Sequence, residues 1–255
     1  MAFYHRDGEH WVPTPTTRGP WHHEQQHGGP PAALLTGVLQ RGAPAGFHLT
    51  RFTAELLRPV PLAPLTVTLG PFAGGRSVQR AEATLHHEGR AVLLARGLFA
   101  RHLDLEPGPP GPDVPAPSEV PRWLFPFFPW DEGFHQAIDT RVVQGAWPHS
   151  PLTCWVQLLH DIVDGEPTTA EQRVVAIADA QSGLAPPTDL ERFTFVNPDL
   201  TVAFARPPRG AWHGLRVQGF SGGRGAGLAE ASLFDVDGMV GRSVQTVLVA
   251  PRTRP

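Results

Sequence analysis

Two segments of the chain carry side chains that could act as a nucleophile. The segment GFSGG, residues 219–223, has the spacing of a nucleophile elbow around Ser221. That motif needs a helix after the turn and a His later in the chain, whereas a strand-like sequence follows here and His213 is the last His. Cys154 lies in the apolar run LTCWVQLL, where a thiol is typically a small buried hydrophobe. Neither residue therefore predicts covalent catalysis.

The segment WHHEQQHGG, residues 21–29, combines imidazoles with a glycine pair ahead of a predicted helix. His22, His23 and His27 lack the second anchoring pair that a metal site needs, so no metal is predicted. Gly28 and Gly29 would offer backbone N–H groups at the positive end of the helix dipole, where a substrate oxygen can approach closely. Two interpretations stay open for the pair, an oxyanion site or a simple turn, and His27 is a candidate substrate contact.

The composition excludes several other kinds of chemistry. All 21 basic residues are Arg, so neither a Schiff-base lysine nor a phosphate-loop lysine is available. The formal net charge of −3 favours no nucleic-acid partner, and no run approaches the roughly 18 apolar residues of a membrane span. One cysteine allows no intramolecular disulfide, and the first residues form no secretory signal, so a cytoplasmic protein is expected.

The chain contains an internal repeat. Residues 47–101 align with residues 195–252, and each second-copy residue lies 148 positions after its counterpart. If the later turn is shorter in the second copy, this separation becomes 146 for the residues after that turn. A proline-rich stretch between the copies reads as a semi-rigid connector. The sequence therefore predicts an N-terminal repeat over residues 1–104, a linker over 105–121 and a C-terminal repeat over 122–255.

Both copies share one order of elements, a helix followed by strands. Apolar spacing and helix-opening residues predict helices over 30–41 and 168–181. Alternating segments between glycine-rich turns predict strands, over residues 65–70, 77–87 and 90–101 in the first copy and 226–235 and 238–250 in the second. A sheet edge left open in either copy would be covered if the two sheets paired edge to edge. The predicted fold class is α+β, with each central helix wrapped by an antiparallel sheet.

Five segments of the sequence resemble a known family. They are HGGPPAALL (27–35), FTAELLRPVPL (52–62), GRSVQRAEATL (75–85), FVNPDLTVAFARPPRGAWHGL (195–215) and GRSVQTVLV (241–249). Together with the repeat, they resemble the tandem hotdog acyl-CoA thioesterases of the thioesterase II type. This resemblance implies a double hotdog, a pseudo-dimer within one chain. It also implies hydrolysis of a fatty acyl-CoA to the acid and coenzyme A, with no cofactor.

The resemblance also implies a site in the second copy made of an Asp, a Thr and a Gln. The Asp corresponds to Asp179 and the Gln to Gln245, but Asn197 stands where the family has Thr. An amide can hold a water although it is not a hydroxyl. Asp199, two residues on and expected on the same strand face, is a second candidate for that role. Asp179 would take a proton from a water that the amides fix against the thioester carbon.

The repeat offers an independent test of this site. At these separations, Gln245 corresponds to Phe99, Asn197 to Leu49 and Asp179 to the apolar stretch 34–39. Polar groups that face a core cost about 1–3 kcal/mol each unless they are paired. Because these polar groups occur in the second copy alone, we predict a single site there and a first copy that lacks one.

Several alternatives remain open from the sequence. A hotdog hydratase or dehydratase would use His27 with an acid, and a non-catalytic module would only bind an acyl group or coenzyme A. The run WLFPFFPW, residues 123–130, would line an acyl pocket or cap the core of the second copy. Further pairing of the sheets into a homo-oligomer is also left open.

Overall fold

The computed structural model of the chain describes residues 1–103, 105 and 114–252. Of the predicted linker, residues 106–113 lie outside the described residues, as does residue 104 at the end of the predicted first repeat. The described strands are β1 (Ala2–Asp7), β2 (His10–Pro13), β3 (Phe47–Leu56), β4 (Thr66–Leu69), β5 (Ala73–Gly74), β6 (Val78–His87), β7 (Arg90–Arg101), β8 (Ile138–Gln144), β9 (Leu152–Leu158), β10 (Asp161–Val163), β11 (Phe193–Val196), β12 (Asp199–Phe204), β13 (Trp212–Ser221), β14 (Ala226–Asp235) and β15 (Gly238–Pro251). The described α-helices are α1 (Gly29–Gly42), α2 (Ala170–Ala178) and α3 (Gln181–Leu184).

The helices form where their capping residues predict. Pro30 and Pro31 occupy the first turn of α1, where no intrahelical N–H is needed. At the start of α2 the Thr169 hydroxyl accepts from the Gln172 N–H, and the Gln172 side chain accepts from the Thr169 N–H. The predicted single helix over 168–181 is wrong in its end, because α2 stops at Ala178 and α3 begins at Gln181.

One continuous sheet joins the two repeats. Twelve strands of the described residues belong to it, with the main path β4-β6-β7-β3-β12-β15-β14-β13-β9-β8. The junction is the antiparallel pair β3–β12, in which Thr53 lies opposite Thr201. The predicted edge-to-edge pairing is thereby confirmed. A smaller sheet of the described strands, β10-β1-β2, lies beside it.

The two central helices lie antiparallel between the halves of the sheet. The Gln172 side-chain amide donates to the Ala33 carbonyl at 3.1 Å, and a Cβ on Gly29 would collide with the carbonyl oxygen of Ala176. Glycine is thus required for this close approach. The packing brings the start of α1, from the first repeat, to the end of α2, from the second. None of the helices in the described ranges is both long and apolar enough to cross a bilayer.

Candidate active site

Asp179 sits at the C-terminal end of α2, in the break before α3. Its carboxylate is almost fully buried, with a side-chain exposure of 3%. Oδ1 accepts hydrogen bonds from Nδ2 of Asn197 at 2.8 Å and from Nε2 of Gln245 at 3.0 Å. The structure therefore brings together the acid and the two amides to which the resemblance pointed, while their chemical roles stay predictions.

Gln245 lies behind Asp179 rather than in the open pocket. Its Nε2 also donates to the backbone carbonyl of Asp179 at 3.1 Å, so one amide group fixes both ends of the residue. Its Oε1 is buried and has no hydrogen-bond partner in the described part of the chain. A buried carbonyl oxygen in this state is where an ordered water is expected.

Asp199 does not join the cluster. Its Oδ1 accepts from the backbone N–H of Thr246 in β15 at 2.6 Å, away from Asp179. The expectation that it shares a face with Asn197 is wrong because β11 ends at Val196 and β12 begins at Asp199. Asn197 lies in this interruption, where the alternation of a regular strand does not apply.

The first repeat contributes His27 to the site. Its Nδ1 lies 3.1 Å from Oδ2 of Asp179 and also 3.1 Å from the backbone nitrogen of Gly29. One ring nitrogen either donates to the carboxylate or accepts from the amide, so it serves only one partner at a time. Burial lowers the pKa of His27, an effect that the neighbouring Asp179 charge opposes. The ring also stacks on Phe134, with centroids 4.3 Å apart.

The glycine pair stands at the same place. Gly28 precedes α1, and a Cβ on it would lie 2.8 Å from Oδ2 of Asp179. Pro30 and Pro31 carry no N–H, and the Ala32 N–H donates to the Gly28 carbonyl. The amides of Gly28 and Gly29 are therefore the backbone donors that the opening of α1 can present to a ligand.

A pocket of about 300 Å³ opens beside this cluster. Its polar side includes Gln25, Gln26, His27, Asp179 and Asn197. Five further lining residues are Trp or Phe and form its aromatic side: Trp21, Phe125, Phe127, Phe128 and Phe195. Three rings of the run 123–130 thus line a pocket, and Phe125 is also part of the buried core; that the pocket takes an acyl group stays a prediction. The contributions of Trp21 and Phe195 had no sequence signal, because they depend on contacts between distant segments.

The remaining sequence motifs lie away from the pocket. Ser221 is exposed at the end of β13, and β14 rather than a helix follows it. Cys154 is buried in β9, and burial raises the pKa of its thiol to about 12. His22 and His23 stack on each other in an exposed loop. Within the described residues, no group of three or more His, Cys, Asp or Glu side chains is arranged to hold a metal ion.

Comparisons with known proteins agree with this architecture. A family model of the acyl-CoA thioesterase N-terminal domain matches residues 17–100, and one of the acyl-CoA thioesterase C-terminal domain matches residues 100–249. No curated protein matches the chain.

Three solved structures resemble the chain over nearly its whole length. An acyl-CoA thioesterase II from Mycobacterium marinum is 17% identical, over 89% of this chain and 90% of that one, with a TM-score of 0.68. The tesB protein of Mycobacterium avium subs paratuberculosis is 16% identical over 96% and 95%, with a TM-score of 0.70. A hotdog-fold protein of unknown function from Alicyclobacillus acidocaldarius is 18% identical over 98% and 96%, with a TM-score of 0.72. At these identities the likeness shows the fold, and the predicted double hotdog is confirmed.

Proposed function

Because the chain belongs to the acyl-CoA thioesterase family, whose two domain models together match residues 17–249, we propose that it hydrolyses an acyl-CoA thioester to the free acid and coenzyme A. The observation that carries the proposal is the buried carboxylate of Asp179, held by two side-chain amides beside an apolar pocket. A buried acid with organised donors is suited to general-base chemistry.

In the proposed reaction, a water oxygen bonds to the thioester carbon and Asp179 takes the water proton. The carbonyl becomes an oxyanion, and its collapse breaks the C–S bond. The proton then passes to the departing sulfur of coenzyme A. Asn197 and Gln245 both donate to Oδ1 of Asp179, an arrangement that supports a fixed orientation for Oδ2. Oδ2 of Asp179 is the proposed acceptor for the proton of the attacking water, because Asp179 lines the pocket whereas Gln245 lies behind it.

The oxyanion is proposed to bind at the start of α1. Gly28 lines the pocket, and the positive end of the helix dipole favours a developing negative charge there. When Nδ1 of His27 donates to Asp179, the Gly29 N–H is released and becomes a second donor. His27 would therefore couple the position of the base to the availability of the oxyanion donors.

The contact between His27 and Asp179 also favours a second candidate function. A His–acid pair at 3.1 Å is the arrangement that a hotdog hydratase or dehydratase would use. A non-catalytic acyl-binding module is the third alternative, since Asn197 replaces the expected hydroxyl. These alternatives differ in the products that they release.

A comparison of substrates and variants tests the proposal. Free-thiol release from a panel of acyl-CoA esters should be detected for the wild type and fall about 10³-fold in Asp179→Asn, because the variant cannot accept the water proton. Asp199→Asn is the matched control, with the same change outside the site, and should retain turnover. Loss of crotonyl-CoA absorbance without thiol release would identify the hydratase instead. Binding without turnover of any ester would leave only the acyl-binding module.

A further inference from the structure

We propose that the aromatic side of the pocket selects a ring-bearing acyl group of about eight carbons, such as an arylacetyl group, over an alkyl chain. The inference rests on the proposed function, since it takes the pocket beside Asp179 as the acyl site. It goes further because it assigns the acyl preference to a set of side chains from both repeats. We call this set the aromatic wall: Trp21, Phe125, Phe127, Phe128 and Phe195.

The aromatic wall is a connected cluster rather than a scatter of rings. Trp21 meets Phe127 and Phe195 edge to face, with centroids 5.2 Å apart in both pairs. Phe127 stacks on Phe195 at 5.6 Å and on Phe125 at 5.9 Å. The rings come from the loop before α1, the run 123–130 and β11, so tertiary packing alone assembles them. Such mutual contacts hold each ring in a defined orientation toward the pocket.

The geometry of the wall suits another aromatic ring. Rings attract one another through offset and edge-to-face contacts, beyond what buried area supplies, and each such contact is worth about two- to tenfold in affinity. A flexible alkyl chain of equal size gains the area but not these oriented contacts. It also loses more rotamer freedom when it is bound.

The size of the pocket limits the acyl group. A volume of about 300 Å³ lies at the small end of the roughly 300–1,000 Å³ range of small-molecule pockets. A pocket of that size suits an eight-carbon acyl group better than a sixteen-carbon chain. Phe125 packs tightly on α3, because a Cβ on Gly183 would lie only 3.0 Å from Cζ of Phe125.

The charges around the pocket also favour a neutral acyl group. Two of the described lining residues are an Asp or an Arg. Asp179 is buried in the proposed catalytic cluster, and Arg58 is exposed. The aromatic wall itself carries no charge. A carboxylate or ammonium substituent that lay against these rings would lose its hydration without gaining a charged partner from the wall.

The first experiment compares esters matched in size. Phenylacetyl-CoA and octanoyl-CoA both carry eight-carbon acyl groups, and palmitoyl-CoA carries sixteen. We expect kcat/KM for phenylacetyl-CoA to exceed that for octanoyl-CoA about tenfold and that for palmitoyl-CoA more than 100-fold. Thiol release with equal or reversed preference would overturn the inference and leave thioester hydrolysis standing.

Calorimetric binding to the Asp179→Asn variant separates the inference from the proposed function. The variant keeps the aromatic wall, so phenylacetyl-CoA should still bind about tenfold more tightly than octanoyl-CoA. Selective binding with no turnover in the wild type would overturn only the proposed function. Equal binding of the two esters would overturn the aromatic selection.

A pair of Phe variants then assigns the preference to the wall. Phe127→Leu removes a ring that contacts the four other rings of the wall but keeps an apolar side chain. It should lower kcat/KM for phenylacetyl-CoA about fivefold and leave octanoyl-CoA within about twofold. Phe220→Leu is the matched control, because Phe220 lies exposed in β13 outside the pocket, and it should change neither value. Equal losses for both esters in Phe127→Leu would contradict the proposed role.

Discussion

The two repeats place different side chains at equivalent positions of the same sheet. In the first repeat Ala81 pairs with Gly97, and in the second Ala229 pairs with Gln245. Each second-repeat residue lies 148 positions after its counterpart. Gly97 therefore stands where Gln245 stands, and the ring of Phe99 lies 2.5 Å from where a Cβ on Gly97 would be. In the first repeat a ring fills the space that an amide occupies in the second.

The same replacement recurs around the candidate site. Leu49 is buried at the position of Asn197, and Leu65 is buried at the position of His213. The backbone pairing is closely similar, down to a register shift at Leu49–Arg51 that matches the interruption around Asn197. The comparison teaches that the scaffold is common to both copies and that the polar cluster depends on a few side chains. Exchanging those side chains between the copies is therefore a direct test.

Apart from Asp179 itself, the largest effect is expected at Gln245. Gln245→Ala removes the two hydrogen bonds that Nε2 of Gln245 donates to Asp179, and displacing the proposed general base should cost about 10²- to 10³-fold in rate. The loss should appear in kcat rather than in KM, because Gln245 lies behind the carboxylate. Steady-state thiol release measures both constants. Gln79→Ala in β6 of the first repeat is the control, and equal behaviour of the two variants would mean that the repeats do not differ in function.

His213 should make the second repeat sensitive to acid. Burial lowers its pKa to about 4, although Asp235 opposes this while Arg173 and Arg206 reinforce it. Neither ring nitrogen has a partner in the described residues. Since the unfolded chain binds this proton near pH 6.5, the free energy of unfolding should fall by about 3 kcal/mol as the pH drops from 6.5 to 4.

The substitution His213→Leu installs the first-repeat side chain and should remove this contribution. Urea unfolding of the wild type and the variant at pH 7 and pH 4 measures the difference. His5→Leu, at an exposed His, should keep the wild-type dependence. Parallel curves for the wild type and His213→Leu would show that the buried ring is not a source of acid sensitivity.

Asn197 should give a smaller effect on turnover. Asn197→Leu places the first-repeat residue at the site and removes the 2.8 Å hydrogen bond to Asp179, for an expected loss of about 30-fold in kcat. Asn197→Thr, which restores the residue that the family resemblance implies, should stay within about threefold of the wild type. If Asn197→Leu is fully active, the polar side chain has only a structural role.

The sequence predicts the positions of α1 and of the main strands from local pattern, the repeat from self-similarity, and the edge-to-edge sheet from the cost of open sheet edges. The separation of 146 that placed Phe99 opposite Gln245 is wrong, since both hairpins have turns of equal length. The physical reason is that a shift of two residues keeps every side chain on its own face of a strand. Alternation therefore cannot distinguish the two registers.

The site was predictable only in part. Asp179, Asn197 and Gln245 came from the resemblance and converge in the structure. The sequence did not decide whether Asn197 or Asp199 joins them, because that choice depends on the interruption between β11 and β12. The contact of His27 with Asp179 depends on the antiparallel packing of α1 on α2. Periodicity within one helix carries no information on the helix against which it packs.

The smallest effect is expected at Asp199, where the first repeat has Arg51. The Asp199 carboxylate accepts from the Thr246 N–H and so ties β12 to β15 beside the interruption. Asp199→Ala should lower the free energy of unfolding by about 1 kcal/mol, the worth of a partly exposed hydrogen bond, and should leave thiol release within about twofold. The Asn197 contact with Asp199 uses the backbone carbonyl and is therefore kept in the variant. If turnover were lost while stability stayed unchanged, Asp199 would belong to the catalytic cluster and the second repeat would differ from the first by one more functional side chain.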